Sequence, residues 1–462
     1  MERTTAKKNK YEIDMCNGTI MDKLISFSLP LMLSGILQLM FNAVDIIVVG
    51  RFSGSQALAA VGSTSALINV FTNLFIGISL GANVLTARFY AAGREKEVSE
   101  TVHTAITLAL VSGIVMALVG LVFSRGALAL MGTPDDVIGL SALYMRIYFL
   151  GMPFFMLYNY GAAILRAVGD TKRPLLFLMI AGVINACLNM VLVIVFKLGV
   201  AGVAIATVIS QMISCVLVLR CLCRSESSYR LRFSELGMKG YYLKQIFSVG
   251  VPAGIQSTVI NFSNVLLQSS VNSFGSTAMA GYTAANNLLG FLYVSVNSIT
   301  QACMSFTSQN YGVGKLKRMD RVLADCMILS VVVAVVLGCI CYGFGPEILQ
   351  IYTEDAEVIA CGMEILAYTT ITYFLCGWMD LFPGALRGMG YSAVPMVLSV
   401  IGTVGTRVVW IFGIFPYHRS LAILFISYPA SWIITIVLQV ICFYFVRRRV
   451  HRRSHALAGQ EA

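Results

Sequence analysis

Phe41-Asn42-Ala43-Val44-Asp45-Ile46-Ile47-Val48-Val49-Gly50-Arg51 puts one carboxylate inside an otherwise apolar run. From Leu24 to Val49 no other side chain carries charge. A helix of that length, rising about 1.5 Å per residue, crosses a bilayer with some tilt. A carboxylate in the membrane costs about 2.5–3.5 kcal/mol on insertion scales, so a chain keeps one where it faces water, finds a partner or binds an ion. The bland alternative is a satisfied structural aspartate near the interface.

Segments of the same kind follow along the chain. Apolar stretches predict spans at 24–50, 57–87, 101–123, 138–165, 174–196 and 199–220, then 243–271, 279–306, 322–344, 357–384, 394–415 and 420–446. With 58% hydrophobic and 12% charged residues and a mean hydropathy of +0.80, the composition excludes a soluble domain, where about a quarter of residues are charged. The fold class expected is therefore an all-α membrane protein of about twelve transmembrane helices. Residues 1–22 are polar and basic with no apolar core, so no cleavable signal peptide is expected and insertion begins with the first helix.

The net charge of +11 is explained by where the basic residues fall. With the N-terminus inside, only Arg51, Arg125, Arg146, Lys197, Arg407 and Arg419 of the 33 Lys and Arg fall in the outer half. The rest lie at the inner face, since positive loops resist translocation. Both termini are expected in the cytosol of a multi-pass inner (cell) membrane protein, with anionic lipid as the partner of the basic face and no nucleic acid. The twelve Cys lie in apolar segments, and Cys221-x-Cys223 and Cys339-x-Cys341 lack zinc spacing. His103, His418, His451 and His455 form no cluster, so no metal is expected.

A repeat organises the chain. At an offset of 221, Gly54-Ser55-x-Ala57 matches Gly275-Ser276-x-Ala278, and Thr86, Tyr90 and Gly93 match Thr307, Tyr311 and Gly314. Leu165-Arg166, Gly169 and Pro174 likewise match Leu386-Arg387, Gly390 and Pro395. The division expected is a cytosolic segment 1–22, a six-helix bundle 23–221, a polar linker 222–243, a second bundle 244–446 and a basic tail 447–462. Six spans per half give both halves the same orientation, with a binding cavity near mid-membrane.

For chemistry, Asp45 has company in its own half. Asn185 and Asn189 lie one helical turn apart on one face, and Thr207 and Asn189 fall at similar depth, about 12 Å from the outer edge at 1.5 Å per residue. One carboxylate, two amides and a hydroxyl can hold a small cation or a protonated aspartate, or can simply bond helices together. The second half offers Asp380, which aligns with Asn159, and Arg407 in mid-span, which pairs with Asp380 or with Glu364. Gln256 and Asn261 add amides to this second set, which is either a substrate surface or packing. Tyr158, Tyr160, Phe291, Tyr293 and Met304 are of the kind that lines cavities for bulky cations. Gly77-x-x-x-Gly81 reads as close packing without function.

These residues together resemble the multidrug and toxic compound extrusion family over about residues 20–446. The resemblance rests on Gln38-x-x-x-Asn42-x-x-Asp45-x-x-x-x-Gly50-Arg51, Leu165-Arg166-Ala167-Val168-Gly169-Asp170, Asn185-x-x-x-Asn189, Gly199-Val200-Ala201-Gly202-Val203-Ala204 and Leu386-Arg387-Gly388-Met389-Gly390. It implies two pseudo-symmetric six-helix bundles in a V, exporting organic cations in exchange for protons or sodium as the lobes alternate access. It also implies a cation site at Asp45, Asn185, Asn189 and Thr207, no cofactor beyond the coupling ion, and a monomer. The chain departs from some relatives, which carry an aspartate at the place of Asn189, and from another branch with a glutamate where Ile260 and Asn261 stand. Proton versus sodium coupling is thus left open. The alternatives are a flippase for lipid-linked precursors, which wants a larger basic cavity, and an intramembrane enzyme or receptor, for which no Ser-His, paired-Asp or zinc constellation is present.

Overall fold

A computed structural model describes the backbone of residues 10–458, and their side chains apart from 66 and 453–458. Arg3, Lys7 and Lys8 of the basic N-terminal segment, the Arg453 side chain and residues 459–462 lie outside it. The described residues form helices and no strand. They run α1 (Met21–Phe52), α2 (Ser55–Ala91), α3 (Glu95–Leu130), α4 (Asp135–Leu150), α5 (Met152–Ala167), α6 (Lys172–Asn189), α7 (Gly199–Cys223) and α8 (Gly240–Asn272). They continue through α9 (Ser276–Gly312), α10 (Leu316–Gly343), a short α11 (Gly345–Gln350), α12 (Ala356–Thr369), α13 (Tyr373–Gly388), α14 (Ala393–Ser399), α15 (Thr406–Val409) and α16 (Leu421–Ala458).

Eight of these spans are long and apolar enough to cross a membrane, or ten if each of two bent pairs is one span. α8 and α9 have the length, 33 and 37 residues, but carry amides such as Gln256, Asn261, Asn297 and Gln301. Including these two, the described residues hold the expected twelve. Hydropathy gives no sign of the bends: α4 meets α5 at 47° and α12 meets α13 at 51°. Gly151 ends α4 and Pro153 opens α5, and a proline inside a helix removes a backbone bond and clashes with the preceding turn. The fifth and eleventh spans also change winding. α6 continues as π-helix over Met190–Val195, and α14 and α15 alternate with π-helix at Val400–Gly405 and Trp410–Ile414. Such wide turns are rare and recur at functional sites.

The chain separates into two compact units. Among the described residues, one gathers 10–13 and Leu33–Gly254; the other gathers Asp14–Met32 and 255–458. The division thus differs from a cut at the 222–243 linker by two segments: the start of α1 goes with the second unit, and the start of α8 with the first. The chain passes between the units after Ile13, Met32 and Gly254, and Pro30 and Pro252 lie just before the second and third of these points.

In the first unit, α2 and the start of α8 meet through glycine. A side chain at Gly77 would run into the backbone of Gly254, one at Gly81 into Ile246 and Gly250, and one at Gly250 into Ile78. The glycine pair on α2 therefore faces a second pair, Gly250-x-x-x-Gly254, and lets the two backbones touch. Gly250→Leu is expected to destabilise the protein by about 1–3 kcal/mol, the usual cost of overpacking, read as a lower melting temperature in detergent.

The matched glycines of the repeat have a physical reason. Gly93 and Gly314 have φ of 70° and 72°, and Gly169 and Gly390 have 97° and 90°, a region L-residues avoid. At Gly169 an added Cβ would also strike the backbone of Ile13. Glu12, beside it, accepts hydrogen bonds from the Tyr90 and Tyr229 hydroxyls, both at 2.7 Å. Gly169→Ala is expected to destabilise the unit and free this segment, which limited proteolysis near residue 12 would detect as faster cutting.

Candidate functional site

Asp45 reaches its partners because α1 and α6 pack closely at one glycine. A Cβ on Gly182 would overlap the Phe41 ring. Asp45 follows Phe41 by four residues, and Asn185 and Asn189 follow Gly182 by three and seven, so one helix face meets another at this point. Asn189 donates through Nδ2 to Asp45 Oδ1 and, at 3.2 Å, to Asn185 Oδ1. Thr207 on α7 brings Oγ1 to 3.5 Å from Asp45 Oδ2. A threonine hydroxyl has one proton, which the Asp45 carboxylate shares with the Val203 carbonyl at 3.0 Å.

All four residues expected in the first half are brought together. Asn185 is buried and Asn189 is fully buried, yet Asn189 Oδ1 has no hydrogen-bond partner. A buried amide oxygen without a donor carries a penalty of about 1–3 kcal/mol unless something occupies the site. Two tyrosines that the sequence did not single out also lie within electrostatic reach of Asp45: Tyr144 and Tyr148 on α4, stacked with centroids 6.1 Å apart. Their spacing of four residues, on either side of Arg146, is the one signal the sequence carries for them.

Asn159 is not part of this set. It donates to the Phe155 carbonyl of its own helix at 2.8 Å.

In the second unit the candidate residues fall into two groups. Gln256 accepts from Arg387 Nη2 at 2.6 Å, and Asp380, two turns earlier on α13, interacts with the Arg387 charge. Two turns further along α8, Ser263 and Asn264 meet Arg407, which is only 3% exposed. Its Nη1 donates to Ser263 Oγ at 2.8 Å and Asn264 Oδ1 at 2.7 Å, and its guanidinium covers the Tyr428 ring at 4.7 Å. The expected pairing of Arg407 with Asp380 or Glu364 is not found: among the described residues no carboxylate comes within 4.0 Å of it. Arg387, closer along α13, takes the Asp380 interaction instead. Asn261 is exposed, while its neighbours Ser263 and Asn264 do the bonding. Neutral side chains next to a charged one leave no pattern in the sequence, which is why Ser263, Asn264 and Tyr428 carry no signal there. Among the described residues no group of His, Cys, Asp and Glu could hold a metal.

The sequence profile of the MatE family matches this chain twice, over residues 30–191 and 252–412. The two matches begin 222 residues apart and end 221 apart, the offset of the internal repeat. Among curated proteins, the probable multidrug resistance protein YoeA of Bacillus subtilis is 32% identical over 92% of this chain and 93% of its own length. The multidrug export protein MepA of Staphylococcus aureus is 22% identical over 82% of this chain and 84% of its own. A solved structure described as the outward-facing conformation of a multidrug resistance MATE family transporter superposes with a TM-score of 0.87 at 19% identity, covering 96% of this chain and 99% of that one. The double profile match, the all-helical spans and the YoeA identity agree: the chain belongs to the MatE family of multidrug efflux transporters and is a membrane transporter, not an enzyme.

Proposed function

We propose that this transporter exports organic compounds carrying a cationic centre, in antiport with protons or sodium, by alternating access of its two halves. Asp45, with Asn185, Asn189 and Thr207, is the coupling site in this reading. The observation that carries it is the unpartnered Asn189 Oδ1 beside a carboxylate that accepts from the same amide's Nδ2. When Asp45 is ionised, Nδ2 donates to it. When Asp45 takes a proton, a half-turn of the amide offers Oδ1 to accept that proton, so one side chain serves both states. A sodium ion would use the same oxygens: the Asp45 carboxylate, the amide oxygens and Thr207 Oγ1. No other cofactor is proposed.

The ion must prefer one arrangement of the transporter and the exported compound another, since a ligand shifts an equilibrium only by its differential affinity. The placing of basic residues supports a cell-membrane protein with both termini cytosolic and anionic lipid at the inner face. A monomer suffices, because both halves lie in one chain.

The test is dye efflux from proteoliposomes of the purified protein, with a pH gradient and a sodium gradient imposed separately. Export of a cationic dye is expected under one gradient and absent without either. Equal flux in all conditions would overturn the antiport reading.

A further inference from the structure

The first unit offers a carboxylate to a cation; the second carries the opposite charge at the corresponding place. At the 221 offset Arg407 aligns with Ala186, between Asn185 and Asn189. Where one half of the repeat builds its coupling set, the other fixes a guanidinium. Arg407 belongs to the four-residue α15, framed by π-helix on both sides, and is almost wholly buried. Its hydrogen-bond partners in the second unit, Ser263 and Asn264, are neutral. Its remaining support is the Tyr428 ring, whose hydroxyl bonds that of Tyr282 at 2.9 Å.

Two features remain unbalanced. No carboxylate among the described residues neutralises the charge, and Arg407 Nε is buried without an acceptor. A guanidinium presents its donors in a planar fork. Here Nη1 is committed to Ser263 and Asn264, and the edge bearing Nε is not. Charges inside a membrane are rare and mark the path of a substrate or ion. This one also takes for itself the aromatic face that an organic cation would seek. Tyr428 stacks edge-on with Trp432, and Trp432 with Tyr373, so the ring cluster holds the chain's own cation.

We infer that Arg407 anchors an acidic group of the exported compound, so that the substrates are amphiphiles bearing a carboxylate as well as a cationic centre. The inference rests on the export reading above and deepens it. A carboxylate fits the planar donor edge with two parallel bonds, which an ester of the same molecule cannot match because it has lost the charge. The cationic centre of such a molecule is disfavoured near Arg407, while its carboxylate is drawn there.

The test compares a rhodamine bearing a free carboxylate with the methyl ester of the same dye, by fluorescence anisotropy on the purified full-length protein without any gradient. The wild type is expected to bind the acid at least about ten-fold more tightly than the ester, a difference of about 1.4 kcal/mol. Arg407→Gln is expected to abolish the preference, so that acid and ester bind with equal affinity. Arg407→Lys, which keeps the charge without the fork, is expected to fall between. A wild type that binds both dyes equally, or an Arg407→Gln protein that keeps the preference, overturns the inference while leaving cation export standing. Binding of neither dye to the wild type overturns both. Should Arg407→Gln not fold, the wild-type ratio and Arg407→Lys decide the matter.

Discussion

The Asp45→Asn protein is expected to fold, to melt within a few degrees of the parent, and to lose gradient-driven dye efflux down to the level of protein-free vesicles. The substitution keeps the shape of the side chain. An asparagine oxygen at position 45 still accepts from Asn189 Nδ2, so no buried donor is stranded. A hydrogen bond to a charged acceptor, about 1.5–3 kcal/mol, becomes a neutral one of about 0.5–1.5. Against that, a carboxylate costing about 2.5–3.5 kcal/mol in the membrane is removed, so the balance favours the variant by about 1–2 kcal/mol. What disappears is the only titratable member of the set. Asp45→Ala is expected to differ, because it leaves the Asn189 amide without its acceptor at a further cost of about 1–3 kcal/mol. Efflux in proteoliposomes and thermal unfolding of the same preparations check both halves of the expectation. Parental efflux by Asp45→Asn would place the coupling group elsewhere.

Gly182→Leu is expected to produce the second largest effect, although Gly182 touches neither ion nor substrate. A leucine there must displace the Phe41 ring, since even a Cβ overlaps it. Overpacking of this kind costs about 1–3 kcal/mol. It also pushes α1 away from α6 at the turn next to Asp45, and a shift of about 1 Å breaks the Asn189 and Thr207 approaches to the carboxylate. Efflux is therefore expected to fall at least about ten-fold even where the protein remains folded. The pair Gly182→Ala with Phe41→Ala separates packing from chemistry: it relieves the overlap and is expected to be more stable than Gly182→Ala alone, with a coupling energy of about 0.5–3 kcal/mol. Additive effects in that cycle would show that the ring and the glycine do not interact.

The number of spans, the repeat and the composition of the first-half site are legible in the amino-acid sequence because each depends on local properties. A helix in a bilayer satisfies its own backbone, so about twenty apolar residues mark a span whatever lies beside it. The repeat is visible through Gly93, Gly169 and their partners because positive φ restricts those places to glycine. Asn185 and Asn189 are legible together because three- and four-residue spacings share a helix face.

Tertiary packing decided the rest. Hydropathy averages over a window and cannot see a bend at Gly151 or a π-turn after Asn189. In the sequence Gly182 is one glycine among 40; the Phe41 ring lying over it makes it a contact point. Arg407 could have met Asp380 or Glu364, and sequence separation does not rank them. The structure gives it Ser263, Asn264 and a tyrosine face instead. Interactions within a turn of helix follow from spacing alone. Those between segments more than a hundred residues apart depend on which faces the packed helices present to one another.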